Sequence, residues 1–73
     1  MKPLTQTEKR ILDLVGQGMS SAKIAFTLDI SSHTVETHRK SLLLKLDAKN
    51  SAEMVRKAML ASVMSNDPIL NPK

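Results

Sequence analysis

Proline occurs only at Pro3, Pro68 and Pro72, so the long stretch from Leu4 to Asp67 lacks the residue that most strongly breaks a helix. That stretch is rich in Leu, Met, Ala, Lys and Glu and poor in alternating β-branched runs, which predicts an all-α chain. At 73 residues there is room for one domain at most, and a chain of this size buries only about 60% of its unfolded surface. The core must be compact and assembled from a few short helices.

Four helices can be bounded by their start and stop signals. Thr5 and Glu8 have the spacing of a capping box, and Ile11, Leu12, Leu14 and Val15 form one broad apolar face. Gly16 and Gly18 supply the stop, giving a first helix over about 6–16. Ser20 is the next cap, and Ile24, Ala25 and Leu28 share a face of a short helix over about 21–28. Phe26 points away from that face, either partly exposed or in contact with something outside the domain. Asp29, which tolerates left-handed backbone, and the cap Ser31 leave a turn of about three residues. A third helix over about 32–46 then places Val35, Leu42 and Leu46 in one narrow sector with Leu43 beside it. Asn50 and Glu53 repeat the capping logic for a fourth helix over about 51–64, with Ala52, Val55, Ala58 and Met59 as its inward stripe. The domain is expected to span 3–64, with a frayed tail over 65–73 that carries two of the prolines.

Charge and composition narrow the partner. The net charge is +4, which suits a polyanion: DNA, RNA or an anionic membrane. Phe26 is the only aromatic, and binding single strands needs aromatic platforms on which bases stack. No apolar run approaches the roughly 20 residues that span a bilayer. The N-terminus lacks an apolar signal core, so a cytoplasmic protein without membrane contact is expected. Cysteine is absent, which removes disulfides and thiolate metal sites. His33 and His38 are five residues apart, about 140° around a helix, so they do not share a face for a metal. No nucleophile turn, glycine-rich phosphate loop or metal motif is present; the reading is a non-enzyme with neither cofactor nor small-molecule ligand.

The second and third helices, joined by a tight turn, have the proportions of a helix-turn-helix unit, whose second helix enters the major groove. With Val35, Leu42 and Leu46 inward, the opposite face of the third helix shows Ser32, His33, Glu36, Thr37 and Lys40. Lysine reaches guanine O6 and N7, glutamate accepts from cytosine N4, and the threonine methyl meets the thymine methyl. A merely solvated helix face would look similar, so this pattern alone leaves both readings open.

Leu4-Thr5, Glu8, Ile11-Leu12, Leu14, Gly18, Ser20, Ile24-Ala25, Leu28, Ile30-Ser31, Thr34-Val35, His38, Leu42, Lys45-Leu46 and Asn50 together resemble the LuxR-type four-helix DNA-binding domain of bacterial response regulators and quorum-sensing regulators. The run Ile-Ser-x-x-Thr-Val-x-x-His at 30–38, followed by Lys45-Leu46, is the specific part, and the resemblance covers roughly residues 3–62. It implies sequence-specific binding of double-stranded DNA for transcription regulation. The implied base-reading residues are Glu36, Thr37 and Lys40. Implied phosphate contacts are Ser20, Ser21, Lys23, Ser32, His33, Thr34 and Lys45. It further implies a homodimer through the fourth helix. Met54, Lys57, Leu60, Ala61 and Met64 fall on the second, outward face of that helix.

The chain departs from the family pattern at several places. Glu36 stands where Lys or Arg is frequent, Asp47 where Gly is common, and Ser51 where Arg is common. Ala22-Lys23 replaces Lys-Glu, and Leu44 occupies a position that is usually polar. Arg39 lies beside the core stripe, so its stem is expected to pack while its head reaches solvent, a carboxylate or a phosphate. Other readings of the sequence are a promoter-reading module held by RNA polymerase, as in sigma factors, and a small helical module that binds a protein through the Leu60/Met64 face.

Overall fold

The computed structural model describes residues 3–61, and among these there are four helices and no strand. Helix α1 is Gln6–Gly16, α2 Ser21–Leu28, α3 Ser32–Lys45 and α4 Ser51–Leu60. The expected ends of the first two helices are met. The third ends one residue earlier than expected, with Leu46 as its cap. The fourth is described to Leu60 with Ala61 as its cap, short of the expected 64. Residues 62–64, including the outward Met64, and the tail 65–73 lie outside the described residues.

Each helix starts on a polar side chain. Thr5 Oγ1 accepts from Glu8 N at 3.1 Å while Glu8 Oε1 accepts from Thr5 N at 3.0 Å, a complete capping box. Ser20, Ser31 and Asn50 accept from the backbone N–H groups of Lys23, Thr34 and Glu53. At α4 the reciprocal arm is displaced by one residue: Glu53 Oε1 accepts from Lys49 N at 2.7 Å. The stops are also local. Gly18, with φ of +90°, carries the reversal after α1, where Met19 N donates to Leu14 O at 3.1 Å. Asp29 and Asp47 end α2 and α3 in left-handed backbone, with φ of 58° and 54°.

The core draws on all four helices: Ile11 and Leu12 from α1, Ile24 and Ala25 from α2, Val35 and Leu42 from α3 with its cap Leu46, and Met54 and Ala58 from α4. Leu14, Val15, Leu28, Leu43 and Val55 pack around it, half buried. Helix α3 is central, packed against α1, α2 and α4. Burial of a Val, Leu, Ile or Met side chain contributes about 1.5–3 kcal/mol, so the six large fully buried ones, Ile11, Leu12, Ile24, Val35, Leu42 and Met54, hold the bundle.

One helix face differs from expectation. Met54 is completely buried, not outward, so the dimer role read from the sequence is corrected for this residue. Ala52 and Met59, expected inward, are exposed. The apolar arc of α4 runs from Met54 round to Ala52, and docking against α1 and α3 buries only its Met54–Ala58 edge.

Candidate nucleic-acid interface

The turn between α2 and α3 sets the site. Left-handed Asp29 reverses the chain, and the Ser31 hydroxyl receives Thr34 N at 3.0 Å and lies 2.8 Å from Thr34 Oγ1, which fixes where α3 begins. Burial of Val35, Leu42 and Leu46 then fixes how α3 is rotated. Glu36, Thr37 and Lys40 are all exposed as a consequence. Thr37 Oγ1 donates to His33 O at 3.1 Å, which ties the hydroxyl to the helix and leaves the methyl free to meet a base. Ser32 and His33 are exposed at the start of the same helix, and Thr34 is half buried.

These side chains line one open groove with the start of α2 and the start of α4. Ser20, Ser21 and Ala22 form one wall, Asn50 and Ser51 another, and His33, Glu36, Thr37, Arg39 and Lys40 the floor between them. The first N–H groups of a helix have no partner inside it, so α2 presents donors and the positive end of its dipole to this space. Ser20 Oγ accepts from Lys23 N at 3.2 Å, and its own hydroxyl proton remains available to donate. Lys23 is exposed beside it. The sequence reading brought α2 and α3 together correctly but gave Asn50 only a capping role and Ser51 none.

Lys45 is placed differently from the other cations named above. Its Nζ donates to Glu8 Oε1 at 2.7 Å and to Pro3 O at 3.3 Å, with about a fifth of the side chain exposed. Ser41 Oγ donates to the other Glu8 oxygen at 2.8 Å. Burial pushes the Glu8 carboxyl up, but the hydrogen bonds from Lys45, the Thr5 backbone and Ser41, with the charge of Lys45, outweigh it and hold the pKa at about 2. The Lys45 ammonium thus joins α3 to α1, a contact that the sequence reading, which gave this residue a phosphate contact, did not include. Glu8 and Lys45 are 37 positions apart, and no local pattern marks them as partners.

On α4, Leu60 and Ala61 are exposed, as the dimer reading requires, while Lys57 is half buried and its Nζ donates to the carbonyl of Asp47. Among the described residues Phe26 and Leu44 are the most exposed large apolar side chains, at 86% and 81%. No helix among the described residues is long and apolar enough to cross a membrane.

Comparison with known proteins gives a consistent result. Residues 2–58 match the family described as bacterial regulatory proteins, luxR family. The chain is 44% identical over 63 residues to the transcriptional regulatory protein MctR of Rhizobium johnstonii, covering 86% of this chain and 29% of MctR. It is 38% identical over 64 residues to the transcriptional regulatory protein FixJ of Azorhizobium caulinodans, covering 88% and 30%. It is 38% identical over 55 residues to UhpA of Escherichia coli, covering 75% and 28%. Among solved structures, the response regulator ChrA of a heme-sensing two-component system superposes with a TM-score of 0.84 at 30% identity, over 88% of this chain and 32% of that one. The chain therefore spans about three tenths of the length of each of these four proteins.

Proposed function

The chain belongs to the luxR family of bacterial regulatory proteins, and from that premise we propose that it binds duplex DNA sequence-specifically, without catalysis, to regulate transcription. Helix α3 enters the major groove. Lys40 donates to guanine O6 and N7, Glu36 accepts from cytosine N4, and the Thr37 methyl packs on thymine. Phosphate contacts come from Ser20, Ser21 and Lys23 at the start of α2 and from Ser32, His33 and Thr34 at the start of α3; these position the domain without reading sequence. Glu36 is a discriminating choice: a carboxylate among phosphates is unfavourable unless a cytosine amino group meets it.

The observation that carries this reading is the common exposure of Glu36, Thr37 and Lys40 beside the α2 N-terminus, dictated by burial of Val35, Leu42 and Leu46 on the opposite side of α3. A homodimer formed through the outer face of α4, with Leu60 and Ala61 at its centre, would bind a roughly palindromic site with half-sites about one helical turn apart. Its place of action is the bacterial cytoplasm, and control comes from outside these residues, in the part of a longer regulator to which the relatives' greater length corresponds.

Selection of bound sites from a random duplex library tests the reading. An enriched, palindromic sequence is the expected result, with affinity falling steeply as salt rises because several phosphates are neutralised. Absence of enrichment with salt-independent or negligible DNA binding would refute it and favour a protein partner on the Leu60 face.

A further inference from the structure

Arg39 lies on α3 between the base-facing Thr37 and Lys40, half buried at the floor of the groove. Its Nη1 donates to Ser21 Oγ at 3.3 Å, and its Nη2 donates to Ser51 Oγ. Ser21 is the first residue of α2 and Ser51 the first of α4. Among the described residues α2 and α4 do not pack on each other directly; each packs on α1 and α3. One guanidinium therefore spans two helix starts that do not pack on each other.

The chemistry suits alignment better than bulk stability. Both acceptors are neutral hydroxyls, so the hydrogen bonds are charge-assisted from the donor side only and neutralise no charge. A guanidinium, however, is planar and donates in a fixed fork, so two acceptors on different helices constrain direction as well as distance. The hydrogen bonds by which Lys40 and Glu36 would read bases lose strength steeply with misalignment. Their reach into the groove is measured from wherever the α2 start rests on the phosphates.

We infer that Arg39 is a positioning residue for base selection: held by Ser21 and Ser51, it sets the register between the reading face of α3 and the phosphate-facing start of α2. The inference rests on the DNA reading proposed above. Arg39 touches the bases in no part of this scheme; it acts through the residues on either side of it.

The full chain is titrated with two probes, the duplex enriched from the random library and a mixed-sequence duplex of equal length, well below the melting temperature of each variant. Arg39→Lys keeps the charge and loses the fork; Ser51→Ala removes one acceptor and leaves Arg39 in place. Both are expected to bind the mixed duplex within about twofold of wild type with an unchanged salt slope, since charge sets that slope. Both are expected to lose about fivefold in preference for the enriched duplex, the worth of one weakened hydrogen bond. In the free protein, nuclear magnetic resonance should resolve the Arg39 Nη protons in wild type and show them averaged in Ser51→Ala. Preference at the wild-type level in both variants would overturn the inference, as would equal losses on the two duplexes, which would make Arg39 a plain phosphate contact. Lys40→Ala keeps the two failures apart. If it abolishes preference while Arg39→Lys does not, only the positioning role is lost. If wild type shows no preference at all, the DNA reading itself falls.

Discussion

Helices α3 and α4 both begin on a polar cap and both lean on the same core, yet they divide their surfaces differently. Along α3 Val35 and Leu42 with the cap Leu46 are buried in one sector, and the far side is polar apart from Leu44, which is 81% exposed. Along α4 Met54, Ala58, Val55, Met59 and Ala52 form one broad apolar arc with Glu53, Arg56 and Lys57 on the other side, and only Met54 and Ala58 are fully buried. A helix whose pattern leaves one solution presents a defined outer face, suited to reading bases. A helix whose apolar arc is broader than its buried contact exposes the side chains that packing does not use, here Met59 and, off the arc, Leu60.

The largest expected effect tests the inner face of α4. Met54→Ala should destabilise the fold by about 3 kcal/mol, the cost of emptying a packed site, read from denaturant unfolding. Leu60→Ser should stay within about 0.5 kcal/mol, because Leu60 is already in solvent. Equal effects from the two would put Met54 back on the outer face.

The next effect concerns the C-terminal end of α3, where an ion pair rather than periodicity fixes the helix. Lys45→Ala leaves a buried carboxylate without its counter-charge and should cost about 2 kcal/mol, moderated by the partial exposure of the lysine. The accompanying pH dependence has a definite sign. Glu8 titrates near 2 when folded against an ordinary 4.5, so its contribution is fully present above pH 4.5 and is lost as the pH falls towards 2. Acid titration of stability should show that loss in wild type and a much smaller one in Lys45→Ala. A DNA salt slope that flattens in Lys45→Ala, measured where the variant is folded, would instead assign the ammonium to phosphate.

The outer face of α3 comes third. Lys40→Ala should weaken binding to the enriched duplex by about 1.5 kcal/mol and relax preference at one base pair, measured by competition with single-base variants of that duplex. A uniform loss on every sequence would reduce Lys40 to a phosphate contact and erase the contrast with α4. Smallest is the joint between the two helices. Asp47 holds left-handed backbone, φ 54°, so Asp47→Gly relieves strain at the price of a more flexible unfolded chain. A net stabilisation of about 0.5 kcal/mol is expected in thermal unfolding.

Much of the fold and part of the site were legible without coordinates. The capping residues Thr5, Ser20, Ser31 and Asn50 act within three residues of their targets, so their signals lie together in the chain. The outward set Glu36, Thr37 and Lys40 was legible for the same reason, since helix periodicity is local. The partners of Glu8 and Arg39 were not. Each side chain meets residues 12 to 37 positions away, and many polar residues were equally eligible at that separation. Arg39 was expected to reach solvent, a carboxylate or a phosphate; it found two serines.

By itself, then, the sequence determined where the four helices start, where the first two stop and which side of α3 faces outward, because capping and periodicity act over one or two turns. Tertiary structure alone decided that Met54 turns inward, that Lys45 is spent on Glu8, and that Arg39 spans the starts of α2 and α4. Those outcomes depend on how helices dock, and docking is a choice among packings whose free energies differ by less than the local signals can express.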